Sequence, residues 1–266
     1  MRSGYLVVYL FAITISSCMW GKPDKKNPDI VKDTLTYKYT VFKERAADCG
    51  NKADSDCTLV KFKYPDFKGQ KKLNDTIAHK LVTLFQLSEK PDTSLTELSK
   101  KFMTDYLSSK QDGRSDLFYS LDCYAKVLRQ DSSLTTLETG GYVFTGGAHP
   151  SSFTGFINWN TKANKSITLT DLIKPNNLEK LNGIAEGIFR KNEKLSDTAS
   201  LATNYFFKDN KFALNDNFSI TPTGLKFFYN QYEIKPYAAG TTELIIPYSK
   251  IKLLLRPNTV ITQYIK

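Results

Sequence analysis

The residues best suited to chemistry lie in a short loop, Thr145–Pro150, with the sequence TGGAHP. Its adjacent glycines, Gly146 and Gly147, can adopt positive φ angles, and Pro150 biases His149 toward an extended backbone. Apolar runs flank the loop on both sides, so the sequence predicts a stiff turn that presents one imidazole between two strands. An imidazole in such a place can act as a general acid or base, bind a metal ion or hydrogen-bond a ligand.

A second stretch of similar build, YEIKPYAAG, covers Tyr232–Gly240. Pro236 is expected to fix a turn, the two alanines to pack closely, and Gly240 to let the chain leave the loop. We predict that the two loops lie close together, with His149 held by a group from its neighbourhood. The candidate ligand-binding residues are His149, Gly146, Gly147, Tyr232, Glu233 and Tyr237.

Catalysis would need partners for this histidine. A hydrolase needs a nucleophile, a base and an orienting group, and although Ser151 and Ser152 follow His149 in sequence, there is no GxSxG motif. A glycosidase needs two opposed carboxylates, and the spacing of Glu233 and Glu243 does not select them. No catalytic residue is therefore assigned, and His149 is interpreted as a structural imidazole, a ligand contact or a catalytic group.

Metal and cofactor chemistry finds little support in the sequence. A zinc site needs several His, Cys or carboxylate ligands. The chain has two histidines, and the other one, His79, falls on a different element, on the polar side of a predicted helix. We therefore expect neither a metal nor a cofactor.

The two loops also carry a resemblance to a known family. An aromatic strand, TGGAHP, then YEIKPYAAG and the strand Glu243–Tyr248 follow one another as in the ectodomain of RsiV-type proteins. In that resemblance, the ectodomain consists of the domain of unknown function 3298, preceded by the domain of unknown function 4163. The second of these is found beside peptidoglycan deacetylases. The resemblance covers Leu35–Pro257. It implies kinship with a lysozyme-sensing anti-sigma factor, and a first half similar to a non-catalytic domain of a peptidoglycan deacetylase.

The start of the chain is typical of an exported lipoprotein. Arg2 supplies a positive charge, and the apolar run Tyr5–Ile15 is too short to span a bilayer. Ser16-Ser17-Cys18 resembles a bacterial lipobox, which predicts a signal peptide over residues 1–17 and a lipid on Cys18 that anchors the protein to a membrane of the cell envelope. An ordinary secretory signal is the alternative. Residues 18–34 are polar and are interpreted as a tether.

The net charge of the chain indicates which classes of partner it could bind. The formal net charge is +10, and in an exported protein this favours anionic envelope polymers, although a generally solvated basic surface would explain it as well. The lysines are dispersed and no nucleic-acid motif occurs, so nucleic acid is not expected as a partner. Lysozyme, which the resemblance suggests, is itself basic in its animal form and should be repelled. Binding would need a local acidic patch, for which the candidates are Asp48, Asp54, Asp56, Asp105, Asp112, Asp116 and Asp122.

The periodicity of apolar residues predicts an α+β fold with antiparallel sheets and about three packed helices. Two sequential subdomains, 35–150 and 151–266, are expected to form one compact ectodomain. The predicted helices are 71–87, 95–109 (opened by a capping box at Ser94), 177–191 (with Leu178 inward) and a short 251–255. The predicted strands are 35–43 (with Leu35, Tyr37, Tyr39 and Val41 on one side), 58–64, 117–128, 134–144, 153–158, 166–169, 218–221, 225–229 and 243–246.

Three cysteines remain once Cys18 is assigned to lipid. In an oxidising envelope two of them should pair. The short separation of Cys49 and Cys57, at the ends of the loop between the first two strands, predicts a disulfide there, and Cys123 is expected to be a buried thiol. A metal site at these cysteines is the weaker alternative.

Taken together, these features predict a lipid-anchored envelope protein that acts as a non-catalytic binding or sensing module for a cell-wall component or protein ligand. No sigma-binding segment is recognised ahead of the ectodomain, so sigma-factor control is not expected in this chain. The alternative is a peptidoglycan-modifying or hydrolytic envelope enzyme.

Overall fold

The computed structural model describes residues 34–85, 92–113 and 117–265. The predicted signal peptide (1–17), the lipidated Cys18 and the tether up to residue 33 lie outside the described residues, as does Asp116. None of the helices within the described ranges is long and apolar enough to cross a membrane.

The larger of two sheets has six strands in the order of the chain. Neighbouring strands are antiparallel except for the second and third, which run parallel. Two helices connect that parallel pair and pack on one face of the sheet. The elements are β1 (Tyr37–Arg45), β2 (Leu59–Phe67), α1 (Lys71–Val82), α2 (Leu95–Gln111), β3 (Ser120–Gln130), β4 (Leu134–Phe144), β5 (Ser151–Asn160) and β6 (Lys165–Ser166).

The smaller sheet has three antiparallel strands, β7-β8-β9, in the second half of the chain. A long helix packs against it, and a short helix follows its last strand. The elements are α3 (Leu169–Leu172), α4 (Leu178–Asn192), β7 (Phe218–Ile220), β8 (Gly224–Tyr229), β9 (Thr242–Pro247) and α5 (Tyr248–Ile251). The α+β class and the three longer helices are thus confirmed.

The parallel pairing of β2 and β3 corrects the expectation of purely antiparallel sheets. Phe62 of β2 lies beside Cys123 of β3 in the parallel register. The physical reason is the connection, because α1 and α2 together carry the chain back to the end of the sheet where β2 began.

Each sheet has its own core. Between the six-stranded sheet and the helices α1 and α2, the fully buried side chains include Phe62, Leu73, Ile77, Leu81 and Leu121. Around α4 and the three-stranded sheet they include Leu181, Phe189, Phe227, Leu244 and Ile246. Strand β4 contributes to both, since Leu134 belongs to the second core and Leu137 to the first. The predicted boundary at residue 150 falls between β4 and β5, which pair along their whole lengths.

Helix α2 begins where its capping sequence predicts. The Ser94 hydroxyl accepts a hydrogen bond from the Glu97 N–H at 3.1 Å, and the Glu97 carboxylate accepts one from the Thr93 N–H at 2.7 Å. The first bond satisfies one of the N–H groups that a helix start leaves without a partner. The second ties the Glu97 side chain to Thr93, the residue before the cap.

Helix α1 ends at Val82, earlier than predicted. The Thr83 N–H bonds the His79 carbonyl at 3.0 Å, and the Thr83 hydroxyl donates to the same oxygen at 2.8 Å, which closes the last turn. At the start of α4, Leu178 is exposed rather than inward, because it lies at the helix end, beyond the buried stripe that begins with Leu181. The predicted last helix, 251–255, is instead α5 followed by the 3₁₀ turn Lys252–Leu254.

The predicted apolar side of β1 faces the core only at its start, where Tyr37 packs on buried Phe67 with ring centroids 5.0 Å apart. Tyr39 and Val41 are 44% and 56% exposed, whereas Phe42 on the opposite side stacks on Phe62 with ring centroids 5.6 Å apart. Register decides this, since Phe42 pairs directly with buried Phe62 and Val41 pairs with Lys63 on the uncovered face.

The cysteines are arranged as predicted. Cys49 and Cys57 form a disulfide across the loop between β1 and β2. Cys123 is a buried free thiol on β3.

Asparagine side chains join the two sheets. Asn158 of β5 accepts a hydrogen bond from the Ile220 N–H at 2.9 Å and donates one to the Phe218 carbonyl at 2.8 Å. Asn230, just after β8, reaches in the opposite direction and accepts a bond from the Thr154 N–H of β5 at 2.7 Å. Each carboxamide therefore makes backbone hydrogen bonds of the kind that a neighbouring strand would make. The Asn230 bond places the YEIKPYAAG loop beside the TGGAHP loop.

Candidate functional site

The two predicted loops meet through three rings. His149 stacks on Tyr237 with ring centroids 4.3 Å apart and planes at 19°, and Tyr232 lies 6.3 Å from His149 and 5.4 Å from Tyr237. The predicted proximity of the loops is confirmed. We call His149, Tyr232 and Tyr237 the aromatic cluster.

The histidine is held although it is exposed. Its Nε2 lies 3.3 Å from the Tyr232 hydroxyl, and its Nδ1 lies 3.4 Å from the Pro150 carbonyl. Both contacts are satisfied if the hydrogen is on Nδ1, so that Nε2 accepts from the tyrosine. The imidazole is thus positioned by its own loop and by the neighbouring one.

One of the two loop glycines is needed for its conformation. Gly146 has φ 79°, which side chains disfavour. Gly147 has no positive φ, and a Cβ there would meet no atom within 4 Å. Gly146 therefore shapes the turn that presents His149.

Tyr232 occupies a backbone conformation unusual for an aromatic residue. Its φ is +65°, at the third position of a turn that the Glu233 N–H closes onto the Asn230 carbonyl at 3.2 Å. Glycine or asparagine is the usual residue at such a position. The ring is 55% exposed, so burial does not explain why a tyrosine is held there.

Glu233 braces this turn, although it is exposed. One carboxylate oxygen accepts from the Asn230 N–H at 2.8 Å, and the other accepts from the Asn215 carboxamide at 2.6 Å. At the far end of the loop, Tyr237 begins the 3₁₀ turn Tyr237–Ala239, and Gly240 leaves it at φ 71°.

A groove of about 280 Å³ lies beside the aromatic cluster. Ser151 and Ser152, at the start of β5, line it. In the part of the chain that the structure describes, no hydrogen bond joins either serine to His149. Its lining residues are Phe85, Ser151, Ser152, Phe153, Asn230, Gln231, Tyr232, Glu233 and Tyr237.

Metal binding has no arranged ligand set among residues 34–85, 92–113 and 117–265, where no three His, Cys, Asp or Glu side chains converge. What the cluster offers is flat aromatic surface, two tyrosine hydroxyls and a stacked imidazole. Such groups bind ligands by packing and hydrogen bonding.

Sequence reasoning missed the residues that support the site. Asn215, Asn217 and Asn230 all hydrogen-bond backbone or side chains under the two loops. The available signals were the two asparagines in Asn215–Asn217 and Asn230, two residues before Tyr232. Only the fold brings them together.

Comparison with known proteins agrees with this architecture. Residues 51–152 match the family described as Deacetylase PdaC, and residues 170–249 match the family described as Protein of unknown function (DUF3298). The PdaC match indicates an envelope-associated protein. No curated protein sequence matches the chain.

Solved structures share the fold. A DUF3298 family protein from Pseudomonas aeruginosa PAO1 is 23% identical, with a TM-score of 0.67 over 84% of this chain and 95% of that one. A member of the DUF3298 family from Bacteroides fragilis NCTC 9343 is 20% identical, with a TM-score of 0.66 over 86% of this chain and 97% of that one. The chain therefore has a segment that matches the PdaC family and a following segment that matches the DUF3298 family, on the fold of the DUF3298 structures.

Proposed function

We propose that this protein is a non-catalytic binding module of the bacterial cell envelope, and that the aromatic cluster contacts its ligand, a cell-wall glycan. The observation that carries the proposal is Tyr232, an exposed ring on a backbone with φ +65°. Backbone strain that burial does not require is concentrated at functional sites in proteins. An energetically unfavourable backbone conformation at Tyr232 thus holds this ring beside Tyr237 and His149.

The geometry of the cluster suits a sugar. The rings of His149 and Tyr237 are stacked and nearly parallel, and Tyr232 is tilted by 35° from Tyr237. A flat aromatic face can pack against the C–H-rich face of a pyranose, while tyrosine hydroxyls bond its hydroxyl groups. The groove next to the cluster adds the hydroxyls of Ser151 and Ser152. The formal charge of +10 also favours attraction to an anionic wall polymer.

The carboxylate at the groove supports binding rather than hydrolysis. Glycoside hydrolysis uses two carboxyl groups on opposite sides of the bond that breaks. Glu233 lines the groove, but both of its oxygens accept hydrogen bonds from Asn230 and Asn215. Its role is to hold the turn that carries Tyr232.

Sedimentation with purified cell-wall sacculi tests this proposal. Tyr232→Ala should weaken binding at least about tenfold, as for a tyrosine that anchors an interface. Tyr39→Ala is the matched control, because Tyr39 is also an exposed tyrosine but lies on β1. Equal binding by wild type and Tyr232→Ala, or an equal loss in Tyr39→Ala, would contradict the proposal.

Tyr232→Gly separates binding from folding. Glycine adopts φ +65° without strain, so the free energy of unfolding should stay the same or rise by up to about 1 kcal/mol. The same variant should lose wall binding. A large loss of stability would show that the ring serves the fold.

We also propose that a lipid on Cys18 anchors the protein to a membrane of the envelope. The support is the sequence Ser16-Ser17-Cys18 after an apolar run. Cys18→Ala should abolish labelling with radioactive palmitate and leave unprocessed precursor. Normal processing of that variant would identify an ordinary secretory signal.

A further inference from the structure

The most exposed large apolar side chain in the described part of the protein is Leu253. It is 85% exposed and lies on the 3₁₀ turn Lys252–Leu254 that follows α5. Ile251 and Leu255, on either side of this turn, are buried, so the turn is fixed to the core while the leucine faces solvent. A single exposed leucine is common on protein surfaces, and therefore its surroundings decide what it indicates.

Basic side chains surround this leucine. The ammonium group of Lys174, which lies between α3 and α4, donates a hydrogen bond to the Leu253 carbonyl at 2.9 Å. Lys250 and Lys252 come just before Leu253 in sequence, and all three lysines are exposed. Residues 244–266 contain four lysines and arginines and no aspartate or glutamate. We call Lys174, Lys250, Lys252 and Leu253 the basic turn.

The basic turn lies at the end of the small sheet that is remote from the aromatic cluster. Strand β8 ends just before the turn that carries Tyr232, and it begins at Gly224, which pairs with Pro247 at the end of β9. From Pro247 the chain continues directly into α5 and the basic turn. The two features therefore occupy opposite ends of the three-stranded sheet.

The N-terminal segment joins the fold at the same end. The Leu35 carbonyl accepts a hydrogen bond from the Gln130 side chain at 2.8 Å, beside the turn between β3 and β4. That turn and the TGGAHP loop lie at opposite ends of β4. Tyr264 links the turn to α5, because its hydroxyl donates to Asp131 at 2.8 Å and its ring stacks on Tyr248 with centroids 6.4 Å apart. The predicted tether therefore enters the fold on the side of the basic turn.

We propose that the basic turn docks the protein onto an anionic membrane surface and so holds the aromatic cluster away from the membrane, toward the wall. Leu253 enters the interfacial region of the bilayer, while Lys174, Lys250 and Lys252 contact lipid phosphates. Burial of an apolar side chain and attraction of lysines to anionic headgroups both favour such a contact. The proposal rests on the proposed lipid on Cys18, which would bring the turn to the membrane, and it adds one fixed orientation.

Fluorescence from a labelled turn tests the docking. Leu253→Cys is coupled to a dye whose emission shifts to the blue when it leaves water. Cys123 is buried and Cys49 is crosslinked to Cys57, so the introduced thiol takes the dye, and wild type treated in the same way gives the background. On vesicles of equal parts phosphatidylglycerol and phosphatidylcholine, the emission of the label at position 253 should shift to the blue. Ala148→Cys, exposed on the TGGAHP loop, is the matched control, and its label should not shift. No shift at position 253, or an equal shift at both positions, would overturn the proposal.

Two lysine variants of the labelled protein test the role of charge. Lys250→Gln should lower the ratio of docked to undocked protein about fivefold, as expected for one lysine near an anionic membrane. Lys80→Gln is the control, because Lys80 is also an exposed lysine but lies near Asn230 and Glu233, at the end of the aromatic cluster. Docking should also weaken as salt rises and on vesicles of phosphatidylcholine alone. Equal effects of the two variants, or equal docking on both kinds of vesicle, would show that the surface recognised is not an anionic one.

Flotation of the same samples separates the docking from the lipid anchor. Protein that floats with both kinds of vesicle, while the label at position 253 stays in water, would refute the docking and leave the anchor. Protein that floats only with the anionic vesicles, with a shifted label, would refute the anchor and support the docking. Protein that floats with neither would contradict both. Wall sedimentation of Tyr232→Ala is measured without vesicles, so the proposed glycan contact stands or falls independently of these outcomes.

Discussion

Asn230 pairs with Thr154 through both ends of its carboxamide. The Thr154 N–H donates to Asn230 Oδ1 at 2.7 Å, and Asn230 Nδ2 donates to the Thr154 carbonyl at 3.0 Å. This is the hydrogen-bond pattern that a neighbouring strand would supply, formed here by one side chain. It ties the loop after β8 to β5 and thereby fixes where Tyr232 and Tyr237 stand relative to His149.

Asn230→Ala should lower the free energy of unfolding by about 2–3 kcal/mol, because it leaves the Thr154 N–H without its partner and empties a buried position. Urea denaturation measures the change. Asn51→Ala, at an exposed loop position, should stay within about 0.5 kcal/mol of wild type. Equal stability of the two variants would show that the pairing does not hold the loop.

The free energy of unfolding should depend on pH through the carboxyl group of Asp131. Burial by itself would raise its pKa, but hydrogen bonds from Ser133, Tyr264 and the Leu134 N–H outweigh that effect and hold the pKa of the carboxyl below its usual value. Because the folded state has the lower pKa, the carboxylate contributes stability above the unfolded value of about 3.9 and loses it as the pH falls through the folded value.

Asp131→Asn should therefore cost about 1–2 kcal/mol at neutral pH, and the difference from wild type should shrink below about pH 4. Urea denaturation at neutral pH and at decreasing pH measures both effects. Asp197→Asn, at an exposed aspartate, is the control and should follow wild type throughout. A difference between Asp131→Asn and wild type that persists unchanged into acid would contradict the assignment to ionised Asp131.

Cys123 should be unreactive in the folded protein. Burial, together with the nearby Asp122 charge, raises the pKa of its thiol to about 12, and the reactive species is the thiolate. Iodoacetamide at about pH 8 should label Cys123 only after unfolding, as peptide mapping would show. Cys49 and Cys57 serve as the internal control, since both stay unlabelled without reductant. Rapid labelling of native Cys123, or a crosslink that contains it, would refute this.

Lysozyme binding should be weak or absent. The protein has a formal charge of +10, and three of the candidate acidic residues have cationic partners. Asp48 pairs with Lys110, Asp54 with Lys43 at 2.5 Å, and Asp122 with Lys61 at 3.1 Å. These pairs leave less negative charge to reverse the repulsion between two basic proteins.

Titration with lysozyme at two ionic strengths tests this. Because salt screens the repulsion between exposed charges, any weak binding should strengthen as salt rises. Submicromolar binding that weakens with salt would show that an acidic surface dominates the contact.

Sequence reasoning succeeded where a few neighbouring residues decide the structure. The bounds of β4, the Ser94 cap and the Cys49–Cys57 crosslink depend on local pattern and chemistry. The contact between His149 and Tyr237 could also be predicted, because two stiff loops with glycine and proline each suggest a defined contact.

The rest depended on which elements become neighbours. The exposed side of β1 follows from its register with β2, and the parallel pairing of β2 and β3 follows from how α1 and α2 pack. Likewise, Asn230 bonds Thr154 because the turn after β8 lies against β5. None of these relationships leaves a signal in a short window of sequence.

The parallel pair of β2 and β3 in the large sheet also has a consequence for how the chain folds. The β1–β2 hairpin, with its Cys49–Cys57 crosslink, involves only nearby residues and can form as soon as they are available. Strand β2 cannot find β3 until α1 and α2 have been made, and closing that long loop carries an entropic cost that precedes the gain from pairing. The slow step of folding should therefore be the pairing of β3 with the β1–β2 hairpin, which has already formed. Substitutions at Phe62 or Cys123 should slow folding more than substitutions in the hairpin turn.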